Sequence, residues 1–112
     1  MAKVTISNSL REEVYKQFKN NSLEIFEHMR TLEFNPKKGK ELGNVAGIVI
    51  KELRYEKFRF YFITDGHILK FGTEDELAGL LIKFVRMSEK KDQQKAINKI
   101  TDILKSMGFE AL

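Results

Sequence analysis

The stretch that most restricts the fold of this chain runs from residue 47 to residue 64, GIVIKELRYEKFRFYFIT. Its pattern predicts two strands joined by a short charged turn around residues 54–57. In the second strand, alternation places three phenylalanines and a threonine on one face: Phe58, Phe60, Phe62 and Thr64. A row of aromatic side chains needs helices or another sheet laid over it. We therefore predict a central antiparallel hairpin with one core face.

The opposite face of the second strand carries a guanidinium and a phenol, those of Arg59 and Tyr61. An unpaired guanidinium is too costly to bury between two apolar layers. This predicts that the second face is an open, solvent-filled concavity, so that one sheet has an apolar face and a basic face. A second interpretation pairs Arg54 and Arg59 with Glu52 and Glu56 across the hairpin, which would make these arginines structural.

A strand and two helices are predicted before the hairpin. Residues 3–7, KVTIS, alternate as a short strand, and Ser9 has the spacing of a capping box that starts the first helix. The second helix ends before Pro36, because a residue that precedes proline avoids the α region. Its predicted inward residues are Ile25, Phe26, Met29 and Leu32. Residues 37–44, KKGKELGN, are interpreted as a basic loop.

The elements after the hairpin are predicted from turn residues and periodicity. They are a tight turn at Asp65-Gly66, a short strand over residues 67–71, an acidic loop or helical turn over 72–79, a last strand over 80–87, and a final helix from Asp92 that closes at Gly108. The final helix points five apolar residues inward: Ile97, Ile100, Ile103, Leu104 and Met107. We therefore predict one α+β domain over residues 1–112, in which an N-terminal strand and a helical hairpin pack on a small antiparallel sheet with a C-terminal helix.

The positive charge of the chain is concentrated in two regions. The net charge is +4, yet residues 37–59 hold seven bases and three acids, and residues 80–99 hold six bases and two acids. If these regions are neighbours in one sheet, their charges converge into a surface that suits a polyanion.

Several kinds of site are absent from the sequence. Without cysteine the chain has no disulfide and no thiolate site, and no apolar run approaches the length of a membrane span. His28 and His67 are isolated and have no metal-ligand spacing, so both are interpreted as surface residues. We expect no cofactor, no metal, no membrane association and a cytoplasmic location.

Three short motifs carry a resemblance to a known family. They are KELR at residues 51–54, FRFYF at 58–62 and FVRMSEKK at 84–91, preceded by Asn35-Pro36 and Gly39-Lys40. In this order they are similar to the RelE/ParE superfamily of toxins from toxin–antitoxin modules, and most similar to its HigB-like, phage-derived branch. The resemblance extends over nearly the whole chain.

The resemblance implies a RelE-like fold and a metal-independent endoribonuclease. Such a toxin cleaves mRNA, commonly on the ribosome, through attack of a ribose 2′-hydroxyl on the adjacent phosphate, and a cognate antitoxin protein binds it. Carried over by position, the catalytic residues are Arg59 and Arg86, which would hold the phosphoryl oxygens, with Lys90 or Lys91 as the proton-transfer group. The basic and aromatic residues around them form the expected nucleic-acid-binding surface: Lys37, Lys38, Lys40, Arg54, Tyr55, Lys57, Tyr61 and Lys83.

Two alternatives remain open at the level of sequence. The first is a family member that has lost catalysis and only binds nucleic acid or a protein partner. Glu52 favours it, because ribosome-dependent nucleases often have a lysine at that strand position, and so does the lack of a late tyrosine. The second is a ParE-like inhibitor of a topoisomerase.

Overall fold

The computed structural model describes all 112 residues, Met1–Leu112, and places one five-stranded mixed sheet between helices on both of its faces. The strands are β1 (Lys3–Ile6), β2 (Lys40–Val45), β3 (Ile48–Tyr55), β4 (Phe58–Asp65) and β5 (Leu81–Glu89), in the spatial order β1-β5-β4-β3-β2. β1 runs parallel to β5, and every other pair is antiparallel. The two basic regions therefore lie in one sheet, the first on β2, β3 and the start of β4, and the second on β5 and the segment after it.

Five α-helices and four 3-10 turns complete the fold. The helices are α1 (Asn8–Phe18), α2 (Ser22–Arg30), α3 (Gly66–Phe71), α4 (Glu74–Ala78) and α5 (Gln93–Ser106). The 3-10 turns are Lys19–Asn21, Thr31–Glu33, Lys90–Asp92 and Phe109–Ala111. None of the helices combines the length and the apolar character that crossing a bilayer requires. The α+β class, the N-terminal strand with its helical hairpin, and the C-terminal helix are all confirmed.

The larger core lies between the helical hairpin and one face of the sheet. Phe60 and Phe62 of β4 are fully buried there together with Leu10 and Val14 of α1, as the alternation in β4 predicts. The first helix begins two residues earlier than expected, because the N-cap is Ser7, whose Oγ accepts a hydrogen bond from the backbone N–H of Leu10 at 3.3 Å.

The prediction of an open second face is wrong, because α5 covers it. Ala96, Ile100 and Leu104 of this helix pack on Tyr61 and Ile63 of β4 in a second, smaller core. The apolar stripe of α5 needs a surface to bury against, and the face opposite the phenylalanines is the one left by α1 and α2. Met107, expected to point inward, is instead 68% exposed beyond the last turn of the helix.

The predicted basic loop over residues 37–44 is partly a strand. β2 pairs antiparallel with β3, and the connecting residues Ala46 and Gly47 both have positive φ, +51° and +88°. This is the geometry of a two-residue hairpin turn whose twist matches that of its strands. β2 forms one edge of the sheet, where a bulge between Glu41 and Gly43 interrupts its register.

The segment after β4 is helical, so the predicted tight turn at residues 65–66 and the short strand after it are wrong. Asp65 caps α3 instead, and its Oδ1 accepts a hydrogen bond from the backbone N–H of Ile68 at 2.9 Å. The acidic stretch that follows contains α4, which starts at a reciprocal capping box between Thr73 and Glu76.

Candidate functional site

A basic cleft of about 370 Å³ opens beside β3. It is lined by four cations from three separate parts of the chain, Lys38, Lys40, Arg54 and Lys90, and by His28 and Glu52. None of the four cations takes part in an ion pair. Like charges that converge without carboxylate partners create a local positive potential, which attracts anions. We call this group of residues the basic cleft.

Close packing of the backbone brings the two lysines of β2 and its approach to the cleft. Gly39, which lies between them, has a φ of +99°, and a Cβ at this position would come within 2.9 Å of Cζ of Phe62 and 2.8 Å of the carbonyl oxygen of Glu52. Only glycine permits this contact and this backbone conformation. Lys38 and Lys40 are the two sequence neighbours of Gly39, so the close approach of Gly39 to Glu52 and Phe62 fixes the backbone at both lysines.

Lys90 reaches the cleft from the 3-10 turn Lys90–Asp92. Its backbone N–H donates a hydrogen bond to the carbonyl oxygen of Lys57 at 2.9 Å, which fixes the turn against the loop between β3 and β4. Lys57 itself points elsewhere, with Nζ 3.4 Å from Oε1 of Glu89 and 5.5 Å from the ring centroid of Phe58.

His28 lines the cleft, which sequence analysis did not anticipate. Its Nε2 lies 3.0 Å from the carbonyl oxygen of Arg54. A carbonyl oxygen only accepts hydrogen bonds, so Nε2 carries the hydrogen and Nδ1 of a neutral ring is left as an acceptor. His28 and Arg54 are 26 residues apart, and no sequence spacing could have linked them.

A buried ion pair lies beneath the cleft, on the face that α5 covers. Nε of Arg59 is 3.6 Å from Oε2 of Glu52, and the two side chains are only 5% and 7% exposed. Arg59 also donates hydrogen bonds to the carbonyl oxygens of Glu56 and Phe58, at 3.0 and 2.9 Å. Gln93, the first residue of α5, donates to the same carboxylate oxygen of Glu52. Of the interpretation that pairs Arg54 and Arg59 with Glu52 and Glu56, the pair of Arg59 with Glu52 is therefore confirmed, whereas neither Arg54 nor Glu56 forms an ion pair.

Tyr61 is fully buried in the same layer. Its hydroxyl lies 2.7 Å from Oγ of Ser88, which in turn donates to the carbonyl oxygen of Glu89 at 2.9 Å, so Tyr61 is the donor in the first of these bonds. Burial raises the pKa of Tyr61 above its ordinary value. A buried phenol whose pKa is raised cannot act as a base near neutral pH, and it presents no surface to a nucleic acid.

Arg86 lies outside the basic cleft, in a separate groove of about 190 Å³. The register of β4 with β5 shifts there, since Tyr61 is opposite Arg86 while Phe62 is opposite Phe84. Val85 is the extra residue of this bulge. The Nε atom of Arg86 is buried and has no hydrogen-bond partner.

The other predicted site residues are dispersed. Lys83 lies with Nζ 5.8 Å from the ring centroid of Phe109, and Tyr55 packs edge-on against Phe18 at 5.9 Å between centroids. Lys91 is exposed in the turn before α5. Lys37 contributes its backbone carbonyl rather than its charge, as described next.

A buried lysine is the second residue that sequence analysis missed. Lys51 is only 4% exposed, and its Nζ donates a hydrogen bond to the carbonyl oxygen of Lys37 at 3.0 Å. Burial lowers the pKa of Lys51, an effect that the nearby charge of Glu41 partly opposes. Its Nζ is 5.8 Å from the ring centroid of Phe62.

Comparison with protein-family models, with curated proteins and with solved structures finds no match to this chain. Of the twelve residues assigned to the site from sequence, the structure gathers Lys38, Lys40, Arg54 and Lys90 in one cleft. Arg59 and Tyr61 lie in the buried layer below α5.

Proposed function

We propose that this chain is a RelE-like toxin that binds mRNA through the basic cleft and cleaves it there, in the cytoplasm and in association with the ribosome. The convergence of four unpaired cations in a cleft of about 370 Å³ carries the proposal. Arginine and lysine side chains contact RNA chiefly through phosphate groups, which are present at every nucleotide.

The chemistry proposed for the cleft uses residues that the structure brings together. Arg54 forks onto two oxygens of the scissile phosphate, since a guanidinium presents its donors in a fixed plane. His28 accepts the proton of the attacking ribose 2′-hydroxyl at Nδ1, because Nε2 is occupied by its bond to the carbonyl of Arg54. Lys90 donates a proton to the departing 5′-oxygen, and the products are a 2′,3′-cyclic phosphate and a 5′-hydroxyl.

A second candidate function is RNA binding without cleavage. The ion pair of Arg59 with Glu52 favours it, because the guanidinium that the family resemblance assigns to catalysis is buried and neutralised by a carboxylate. Such a chain would retain the exposed cations of the cleft and lack the reaction.

A cognate antitoxin is part of the proposal and would need a surface other than β5. Ile82, Phe84 and Val85 of β5 are buried inside this chain and present no apolar surface to a partner. Exposed apolar side chains are found instead at Leu23 of α2 and at Phe34 after it.

The proposal is tested by RNA binding and by ribosome-programmed mRNA cleavage, measured on the same preparations. If four phosphates are contacted, the slope of log K against log salt for a single strand is about −3. Lys38→Gln with Lys40→Gln is expected to make this slope shallower by about 1.4. Arg54→Gln is expected to slow cleavage by about a hundred- to a thousandfold.

A matched control removes two charges outside the cleft. Lys16→Gln with Lys105→Gln lowers the net charge equally at exposed positions of α1 and α5. An equal effect of both double variants on RNA affinity would contradict the cleft as the binding site. RNA binding with no cleavage by wild type would select the second candidate function.

A further inference from the structure

The 3-10 turn Lys90–Asp92 contributes residues to two basic depressions. Lys90 lines the basic cleft, and Asp92 lines the smaller groove of about 190 Å³ that contains Arg86. Two residues of chain span at most about 7 Å. The two depressions therefore adjoin each other at this turn.

Three cations from two elements line the smaller groove. Arg86 comes from β5, and Lys95 and Lys99 come from α5, with the carboxylate of Asp92 and the hydroxyl of Ser88 completing the polar lining. The two lysines are four residues apart, so they are about 6 Å apart along the helix axis. Neither they nor Arg86 take part in an ion pair. We call these five residues the α5 groove.

Arg86 lines the α5 groove with a guanidinium that forms no ion pair. The bulge at Val85 places Val85 and Arg86 both on the α5 side of the sheet, so that Arg86 lies opposite the buried Tyr61. Its Nε atom is buried and unpartnered, although most buried polar atoms in proteins have a partner. The terminal nitrogens of this guanidinium are not buried, so an anionic oxygen in the groove can bond to them and offset the charges of Arg86 and of the two lysines.

We propose that the α5 groove is a second phosphate-binding site, which holds the same RNA strand a few nucleotides away from the phosphate in the basic cleft. This inference rests on the proposed function. Arg86 then anchors a neighbouring phosphate and is not part of the reacting centre, while Lys95 and Lys99 bind phosphates along the helix. Continuity with the cleft at the Lys90–Asp92 turn favours RNA over a separate acidic partner.

The test is a series of single-stranded oligoribonucleotides of two to twelve nucleotides, with affinity measured by fluorescence anisotropy at several salt concentrations. The groove variant is Lys95→Gln with Lys99→Gln, two exposed side chains whose replacement leaves both cores intact. We expect it to bind two-nucleotide strands like wild type. For twelve-nucleotide strands its salt slope should be shallower by about 1.4, since two phosphate contacts are lost.

The cleft variant Lys38→Gln with Lys40→Gln and the control Lys16→Gln with Lys105→Gln separate the outcomes. The second site is overturned if the control loses as much RNA affinity as the groove variant. It is also overturned if the groove variant loses as much affinity for two-nucleotide strands as for twelve-nucleotide strands. If the groove variant loses affinity for long strands while the cleft variant binds every length normally, the proposed function of the cleft fails and the groove stands. Wild type that binds no strand overturns both proposals.

Discussion

Arg59 is a buried cation. It is 4% exposed, and its charge is balanced by Glu52 alone, with two backbone carbonyls as further acceptors. Removing a charge from water costs several kcal/mol, and a buried partner returns that free energy only while both members of the pair are present. Removing either residue alone should therefore lower the stability of the folded protein.

Arg59→Ala is expected to lower the free energy of unfolding by about 3–5 kcal/mol, because it leaves the carboxylate of Glu52 buried and unpaired. The measurement is chemical denaturation followed by circular dichroism. Arg54→Ala, at an exposed position of β3, is the control and should change stability by no more than about 0.5 kcal/mol. Joint replacement by Arg59→Met and Glu52→Leu should restore most of the loss. A small effect of Arg59→Ala would contradict the buried pair.

The lowered pKa of Lys51 predicts a pH dependence of stability. Burial disfavours the protonated amine in the folded state, so folding releases its proton between the lowered pKa and the ordinary value of 10.5. The unfolded chain binds more protons in that window, and stability should therefore rise with pH across it and fall as pH decreases through the lowered pKa. Lys51→Met is expected to flatten this rise, as measured by denaturant unfolding at a series of pH values up to 10.5. An unchanged pH profile would contradict the assignment.

At the level of elements, the turn between β2 and β3 depends on two residues with positive φ. Positive φ is strained for Ala46, because its Cβ crowds the backbone, whereas Gly47 has no Cβ and adopts it without strain. A Cβ at Gly47 would meet no atom within 4 Å. Any effect of a substitution there reports backbone conformation and not packing.

Gly47→Ala is therefore expected to destabilise the protein by about 1–2 kcal/mol. Ala46→Gly removes the same strain from its neighbour and should stabilise by a few tenths of a kcal/mol up to about 1 kcal/mol. Both are measured by thermal and chemical unfolding. Gly43→Ala in β2 is a useful comparison, since this glycine also has open space around it but no positive φ. Equal costs at both glycines would contradict the turn assignment.

The alternation of β4 was enough to predict the central hairpin and its core face, because a period of two is visible in one strand alone. The role of α5 was not predictable in the same way. Its apolar stripe shows that one side of the helix is buried, but not which face of the sheet it packs on. The ion-pair partner of Arg59 was also not predictable, because it depends on the register between β3 and β4 that places Glu52 opposite Tyr61. β2 was missed because its sequence, KELGNV, is rich in polar residues and glycine and has no strand-like alternation. It is a strand because its backbone pairs with β3.

The two basic regions were visible as charge, and four of their residues meet in the cleft. His28 was not predictable, since its position depends on the packing of α2 beside β3 and on one carbonyl contact. Lys51 and Glu52 are consecutive charged residues of β3, and the sequence around them does not distinguish a buried amine from an exposed one. The short segment that became α3 was too brief for its periodicity to separate helix from strand.

At the scale of the whole molecule, the sheet divides the interior into two cores. Ile25 of α2 is fully buried in the larger core, and Ile100 of α5 is fully buried in the smaller one. Residues on opposite faces of a sheet share no side-chain partners. Their contributions to stability should therefore be independent.

Ile25→Val and Ile100→Val are each expected to cost about 0.5–1.5 kcal/mol. The double variant should lose the sum of the two to within about 0.5 kcal/mol. Ile63→Val with Ile100→Val, both in the smaller core, forms the contrasting pair and should deviate from additivity. The measurement is a double-mutant cycle by chemical denaturation. Strong coupling between Ile25 and Ile100 would show that the sheet transmits packing changes between its faces.

The parallel pairing of β1 with β5 also affects how the chain is made. Lys3 pairs with Leu81, 78 residues further along. At a synthesis rate of 5–20 residues per second, the first strand waits roughly 4–16 s for its partner. During this interval β1 has no neighbouring strand, and the core under α1 and α2 lacks Ile82 and Phe84 of β5. The edge of the sheet that β5 will occupy is therefore open to contact with other chains until the last strand is made.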